Sequence, residues 1–318
     1  MTEAGLRPAI AVTPPSSYRY DREPDVEGAL ADGLTARGGV QRALRSVEAE
    51  INYLETGVTD SIWYASDSWR SHMPLNPQIM RIEDAAPIRD QMSLDREGMF
   101  LADAPTAVKD FLDREAAAKV FIPELEDVVL AVTGATKVVV GRMWVHRHSD
   151  RSERFGEEGT TYPGRYAHID YSDLSGPITA RQMLGDDPDA DRLMQGRFAI
   201  FNLWKAISEP PQDTPLAVCD ATSVAAEDLM ISHIVLGPPQ EDPAKEFRLQ
   251  TNLVQHNPDH RWVYFSGMNR DQLLMFRGYD SDPARFRRAP HAAFDDPSAG
   301  PDAPPRESID IRCVAFFD

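Results

Sequence analysis

An imidazole and a carboxylate stand two residues apart in Tyr166-Ala167-His168-Ile169-Asp170-Tyr171-Ser172. Alternate side chains of an extended strand share a face, so His168 and Asp170 can both reach one metal ion. A third ligand must come from elsewhere in the chain, and Pro290-His291-Ala292-Ala293-Phe294 supplies the candidate histidine. Two histidines and one carboxylate form the facial ligand set of non-haem Fe(II) sites, which leaves positions open for a co-substrate and dioxygen. Further on, Arg306-Glu307-Ser308 places a cation and a hydroxyl on one face of a strand. A 2-oxoglutarate co-substrate that binds such an iron through its keto acid end needs a cation for its distal carboxylate. A guanidinium donates two parallel hydrogen bonds to a carboxylate, and a neighbouring hydroxyl adds a third. Arg312 falls on the same nominal face and is the reserve candidate.

Each of these signals has a plainer reading. A His-x-Asp triplet is common, and the chain holds a second one, His148-Ser149-Asp150, at the end of a strand where Ser and Asp serve as turn residues. His146 with His148 is a third, less favoured ligand pair. His256 and His260 flank the turn-like Asn257-Pro258-Asp259 and are assigned to the surface, while His233 follows an apolar segment and reads as a satisfied buried histidine. His72 stands in a polar context. An Arg-x-Ser pair taken alone means only a polar strand face.

The chain that must position these groups has 318 residues, enough for one large domain or two ordinary ones. Its hydrophobic share of 42% and charged share of 26% are those of a globular protein. A net charge of −18 repels a phosphate backbone, so nucleic acid is not an expected partner. No secretory signal pattern is visible, and no apolar run approaches the roughly 20 residues that span a bilayer, so a cytoplasmic protein without a membrane partner is expected. Cys219 and Cys313 are too few for a disulfide framework and lack zinc-site spacing, which leaves any metal to His and carboxylates.

Residues 1–35 read as an irregular amino-terminal arm, rich in Pro, Gly, Asp and Glu, with residues 36–318 as a single domain whose helices lie mainly in its amino-terminal part. Residues 41–53 fit helix and strand equally. A helix is expected from Asp103 or Thr106, with Pro105 in its first turn, and a second from Pro123 to Thr133, ended by Gly134. Thr136 to Val145 is β-branched and reads as one buried strand, Arg197 to Trp204 as another. Further strands follow over 246–254, 261–265 and 309–317, with a short helix near Arg270 to Phe276. Many strands separated by turn residues make an α+β chain built on a β-sandwich. There is no Gly-rich phosphate loop and no nucleophile elbow, so nucleotide-dependent and serine-hydrolase chemistry lack their usual parts.

The segments SLDREGMFLADAPTAVKDFLD, ELEDVVLAVTGA, HIDYSD, NLWKAISEPPQDTPLAVCDATSV, HRWVYFSGMNRDQLLMFRGYDSD, HAAF and PPRESIDIRCVAFF, in this order and spacing, carry a resemblance. From about Asn52 to the carboxyl terminus the chain resembles the CmcJ/AsaB/NvfI-like family of non-haem iron, 2-oxoglutarate-dependent hydroxylases and desaturases of natural-product pathways. The resemblance implies a double-stranded β-helix, that is, a jelly-roll or cupin-like core with flanking helices. It implies Fe(II) held by His168, Asp170 and His291 as the catalytic centre, 2-oxoglutarate held by Arg306 and Ser308, and dioxygen as the second co-substrate. Asn202-Leu203-Trp204-Lys205 departs from the family's Asn-x-Trp-Arg-Pro form at Lys205 and Ala206. Asn202 and Trp204 are candidates to line the co-substrate or substrate pocket, and Tyr166 and Tyr171 to contact a small organic substrate. The competing readings are an accessory jelly-roll protein that binds metal without oxidation, and a non-redox metal enzyme such as an isomerase. A homodimer is left open by the sequence.

Overall fold

The computed structural model describes residues 44–65, 68–157, 160–236, 240, 246–285 and 288–318. The arm assigned to residues 1–35 lies outside them. Among the described residues two sheets carry the fold. The nine-stranded sheet runs Ser46–Leu54, Leu75–Asp84, Trp262–Tyr264, Leu216–Cys219, His291–Ala293, His168–Ile169, Phe247–Val254, Leu229–Leu236 and Ile62–Tyr64. The seven-stranded sheet has the path Met99–Asp103, Gln272–Asp280, Phe198–Ala206, Glu307–Phe316, Val145–His148 and Thr160–Thr161, and Lys137–Val140 also pairs with Glu307–Phe316.

Period-two burial explains the first strand, which the sequence left undecided. Ala49, Ile51 and Tyr53 are buried while Glu48 and Glu50 are exposed, so only a strand puts all three apolar side chains on one face. Phe198–Ala206 is buried along its whole length because both faces of its sheet are covered. On the outer face, Phe201, Leu203, Ile309, Ile311 and Cys313 pack with Phe121, Leu125 and Val128 of the long helix. On the inner face, Trp204, Leu274 and Phe276 meet Leu216, Val218 and Val263 of the opposite sheet. Nearer the other end of the same inner face, Ile200, Val314 and Phe316 pack with Ala180 and Leu184 of the helix Ser175–Leu184.

Three expected elements differ. One helix, Arg114–Thr133, replaces the two helices expected over 103–133 and runs through Pro123. Asp113 is its true amino-terminal cap, accepting from the Ala116 N–H, and Gly134 ends it in the left-handed region at φ 66°. Burial of Phe121, Leu125, Val128 and Val129 offsets the hydrogen bond lost at Pro123. The expected strand over Thr136 to Val145 is two strands, broken near Gly141, where an added Cβ would lie 3.2 Å from the Arg312 carbonyl oxygen. The segment expected as a short helix near Arg270 to Phe276 enters strand Gln272–Asp280. Its residues are apolar on both faces, Leu273 and Met275 outward and Leu274 and Phe276 inward, which hides the period of two. Among the described residues no helix is long and apolar enough to cross a membrane.

Candidate active site

The inner face of the seven-stranded sheet is interrupted between its two apolar clusters by a polar band. Strand alternation along Glu307–Phe316 aims Ser308, Asp310 and Arg312 inward, with Arg306 just before them, and along Phe198–Ala206 it aims Asn202 and Trp204 the same way. Arg312 and Asn202 are direct cross-strand partners. Facing them, His168 and His291 are paired across neighbouring strands of the other sheet, with ring centroids 4.2 Å apart.

Asp170 follows immediately after the short strand His168–Ile169 and closes the group. One ligating atom from each of His168, Asp170 and His291 lies within 4.8 Å of the others. The backbone around the carboxylate is pinned on both sides, since Thr251 donates to the Ile169 carbonyl and Asn252 Nδ2 donates to the Tyr171 carbonyl at 2.8 Å. Asp170 Oδ2 accepts from Asn202 Nδ2 and from Arg312 at 2.8 and 3.2 Å. Burial by itself raises the Asp170 pKa, but Arg312, the two histidines and Asn202 outweigh it and hold the carboxyl well below the usual carboxylate range. Asp170 and Asp310 in turn outweigh burial at Arg312 and raise its pKa.

The two imidazoles are pushed the other way. Burial lowers both histidine pKa values, that of His291 well below the ordinary value with His168 beside it adding to the effect. His168 Nδ1 lies 2.9 Å from the Tyr166 carbonyl oxygen, which leaves Nε2 facing Asp170 at 3.6 Å. The donor set is thus two neutral imidazoles and one ionised carboxylate, the protonation states a first-row transition metal requires of its ligands. These residues fit an iron ion.

Arg306 is 1% exposed and has no ion pair among the described residues. Its Nε donates to Ser308 Oγ at 2.9 Å, one terminal nitrogen donates to the Thr214 carbonyl at 3.1 Å, and the guanidinium lies over the Trp204 ring at 5.1 Å. Burial first, and then the nearby Arg147, pull its pKa down to about 9. Arg312, by contrast, is already paired with two carboxylates. Tyr166 is half-buried with its ring 4.6 Å from His168, whereas Tyr171 and Trp204 are buried. Lys205 lies on the opposite face and donates to the carbonyls of Ala104, Arg270 and Gln272. The departure at Lys205 therefore leaves the inner face unaltered, whereas Ala206 lies on that face in the cluster with Trp204.

The other histidines divide differently from expectation. His260 is buried, not at the surface, with its ring between Tyr53 Oη at 3.2 Å and Asp228 Oδ2 at 3.0 Å. His233 is half-buried on Leu229–Leu236. His72 is exposed beside Asp60. Asp150 is exposed and pairs with Arg165, so it stands apart from the buried His148. Sequence reasoning missed Asp310, although its alternation with Ser308 and Arg312 was a usable signal. It also missed Thr251 and Asn252, which carry no signal of their own. Gly278 is a third omission. A Cβ there would lie 2.9 Å from the Tyr171 ring and 3.0 Å from Asn202 Oδ1, and a glycine inside a strand is a legible mark of such close approach.

Two facing sheets that bring a His-Asp-His group together beside a buried arginine with no ion pair among the described residues fit the class of non-haem iron oxygenases. The oxidoreductase/YMDC permease-like domain matches residues 51–316. The chain is 32% identical over 245 residues to the Fe(II)/2-oxoglutarate-dependent dioxygenase nvfI of Aspergillus novofumigatus, covering 76% of this chain and 84% of that relative. It is 30% identical over 254 residues to the hydroxylase/desaturase CTB9 of Cercospora beticola, covering 75% and 76%. A solved structure of the iron and alpha-ketoglutarate-dependent endoperoxidase NvfI superimposes with a TM-score of 0.73 at 27% identity, over 87% of this chain and 98% of that one. The chain belongs to the family of Fe(II)- and 2-oxoglutarate-dependent oxygenases that carries this domain. It is an oxidoreductase that uses iron, 2-oxoglutarate and dioxygen.

Proposed function

We propose that His168, Asp170 and His291 are the iron ligands, that Arg306 and Ser308 hold the distal carboxylate of 2-oxoglutarate, and that the substrate is a small organic molecule of natural-product metabolism. In this reading residues 36–318 form one double-stranded β-helix domain behind the amino-terminal arm. Iron with 2-oxoglutarate and dioxygen supplies oxidative decarboxylation to succinate and carbon dioxide, and with it the power to remove hydrogen from an unactivated carbon. The protein's own groups bind, orient and exclude water. Arg312 and Asn202 fix the Asp170 carboxylate in its ionised form and in one orientation, and the Tyr166 carbonyl fixes the His168 ring. Trp204 backs the Arg306 guanidinium, and Tyr171 packs against Gly278 beside Asn202. Of the three aromatic candidates, Tyr166 has surface left to offer a substrate. Hydroxylation or desaturation then depends on which substrate hydrogens the pocket presents.

The observation that carries this reading is Arg306. A guanidinium buried to this degree is costly unless an anion completes it, and Arg306 has none from the chain among the described residues. Arg312 is the weaker candidate because Asp170 and Asp310 already neutralise it. Two buried free thiols, Cys219 and Cys313, support the cytoplasmic location included in this proposal. The test is an anaerobic titration of metal-free protein with Fe(II) and then 2-oxoglutarate, monitoring the weak visible charge-transfer band. The band is expected in the unaltered protein and in Arg312→Lys at saturating iron, and to require far more 2-oxoglutarate in Arg306→Lys. A normal titration in Arg306→Lys would refute the clamp assignment.

A further inference from the structure

The outer face of the seven-stranded sheet carries a second set of ligating side chains. Glu307 is the direct cross-strand partner of His148, and His146, two residues earlier on Val145–His148, shares their side of the sheet. One ligating atom from each of the three lies within 4.8 Å of the others, and the two imidazole rings stack with centroids 4.6 Å apart. His146 Nε2 is 2.7 Å from Glu307 Oε1, which also accepts from Arg154 at 3.1 Å.

His148 has no such partner. It is 1% exposed, and neither ring nitrogen makes a hydrogen bond among the described residues. Native interiors pair nearly all of their buried polar atoms, so an orphaned ring that faces a histidine and a carboxylate points to a missing ligand. Burial, reinforced by His146, lowers the His148 pKa and keeps a lone pair available. The His146 hydrogen bond holds the Glu307 carboxyl below its usual range. Arg154 occupies the place of a cation on Glu307, and its Nε already bonds Glu157 at 3.1 Å, a second carboxylate able to keep it when a metal displaces it.

We propose that His146, His148 and Glu307 form a second metal site, separate from the catalytic iron, for a divalent first-row transition ion of the zinc class. Two imidazoles and one carboxylate suit zinc or cobalt and discriminate against magnesium and calcium, which take oxygen ligands. The occupant ties strand Val145–His148 to the strand that follows Arg306 and carries Ser308 and Arg312. Its role is structural, acting on the placement of the co-substrate clamp from the opposite side of the sheet.

The experiment is equilibrium dialysis of full-length, chelator-treated protein against cobalt, with the bound metal counted by elemental analysis and folding checked by circular dichroism. Two equivalents are expected in the unaltered protein, one in D170A/H291A and one in the near-isosteric E307Q/H148Q. Combining all four substitutions is expected to leave none. A zinc-induced rise in melting temperature is expected to survive D170A/H291A and to disappear when E307Q is added to that pair. The proposal is overturned by folded D170A/H291A protein that binds no cobalt, or by E307Q/H148Q protein that binds as much as the unaltered chain. Because each pair of substitutions empties one site, loss of the iron assignment and loss of the second site give different counts.

Discussion

Among the described residues two groups of two histidines and one carboxylate occur, and they differ most in what holds the carboxylate. Asp170 lies between the sheets, ionised by Arg312 and fixed by Asn202, with both imidazoles turned towards it and, just before the facing strand, an arginine with no ion pair among the described residues. Glu307 lies on the outer side, satisfied by His146 and Arg154, with a single orphaned imidazole beside it. The same donor list is therefore held in two ways. Residues that are not ligands hold the Asp170 carboxylate ionised and in one orientation, the outer support that a ligating carboxylate needs. The Glu307 carboxylate is held by a member of its own group, His146, as well as by Arg154.

The comparison breaks most completely at Asp170. Asp170→Ala is expected to reduce succinate formation to the level of metal-free protein while circular dichroism and melting remain close to those of the unaltered chain. Retained turnover would remove the inner group from catalysis. Next in size are the two arginines, which separate the holder of the ligand from the holder of the co-substrate. Arg306→Lys is expected to raise the KM for 2-oxoglutarate about 10- to 100-fold through the loss of a charge-assisted bidentate contact, with iron affinity unchanged. Arg312→Lys is expected to do the reverse, weakening iron binding about 10- to 100-fold as support of a ligand typically does. Steady-state kinetics with each component varied in turn distinguishes them, and an exchange of the two effects would reverse the assignment. Asn202→Ala should follow Arg312→Lys in direction with a smaller effect of about 10-fold on iron affinity, read from the same titrations.

The inner group was legible because strand alternation and the His-x-Asp spacing are local, and because the distant candidates read from the chain, His291 and Arg306, are also those the resemblance implies. Choosing between Arg306 and Arg312 was not legible. Both fall on one face of one strand, and only the placement of Asp170 and Asp310 shows that Arg312 is already neutralised. The outer group was half legible: His146 and His148 stand out in sequence, but Glu307 joins them only through the antiparallel register that sets it opposite His148. Strand positions over 198–206 and 247–254 follow from β-branched and apolar runs. Helix positions over 103–133 went astray because Pro105 imitates a helix start, whereas the side chain of Asp113 makes one. His260 was misplaced because Asn257-Pro258-Asp259 does form a turn, yet the ring that follows it folds back onto Tyr53 and Asp228.

The smallest expected effect lies on the outer face of the strand that carries Asn202 and Trp204, and it concerns stability alone. Lys205 is 1% exposed and its ammonium donates to three carbonyls at 2.7, 2.8 and 3.0 Å. Burial pulls its pKa from the ordinary 10.5 down to about 8. Between those two values the unfolded chain binds a proton that the folded chain has released, so this group makes stability rise with pH across that window. Below about 8 the folded chain bears the full cost of burying the charge, and above 10.5 the cost is gone. Lys205→Met removes the titration and keeps the length of the side chain. The stability of the unaltered protein relative to Lys205→Met, measured by urea unfolding at several pH values, is expected to increase by on the order of 1 to 3 kcal/mol through the window. A difference that stays flat with pH would mean that the three carbonyls keep the ammonium protonated, and that the outer face tolerates a buried charge as well as the inner one does.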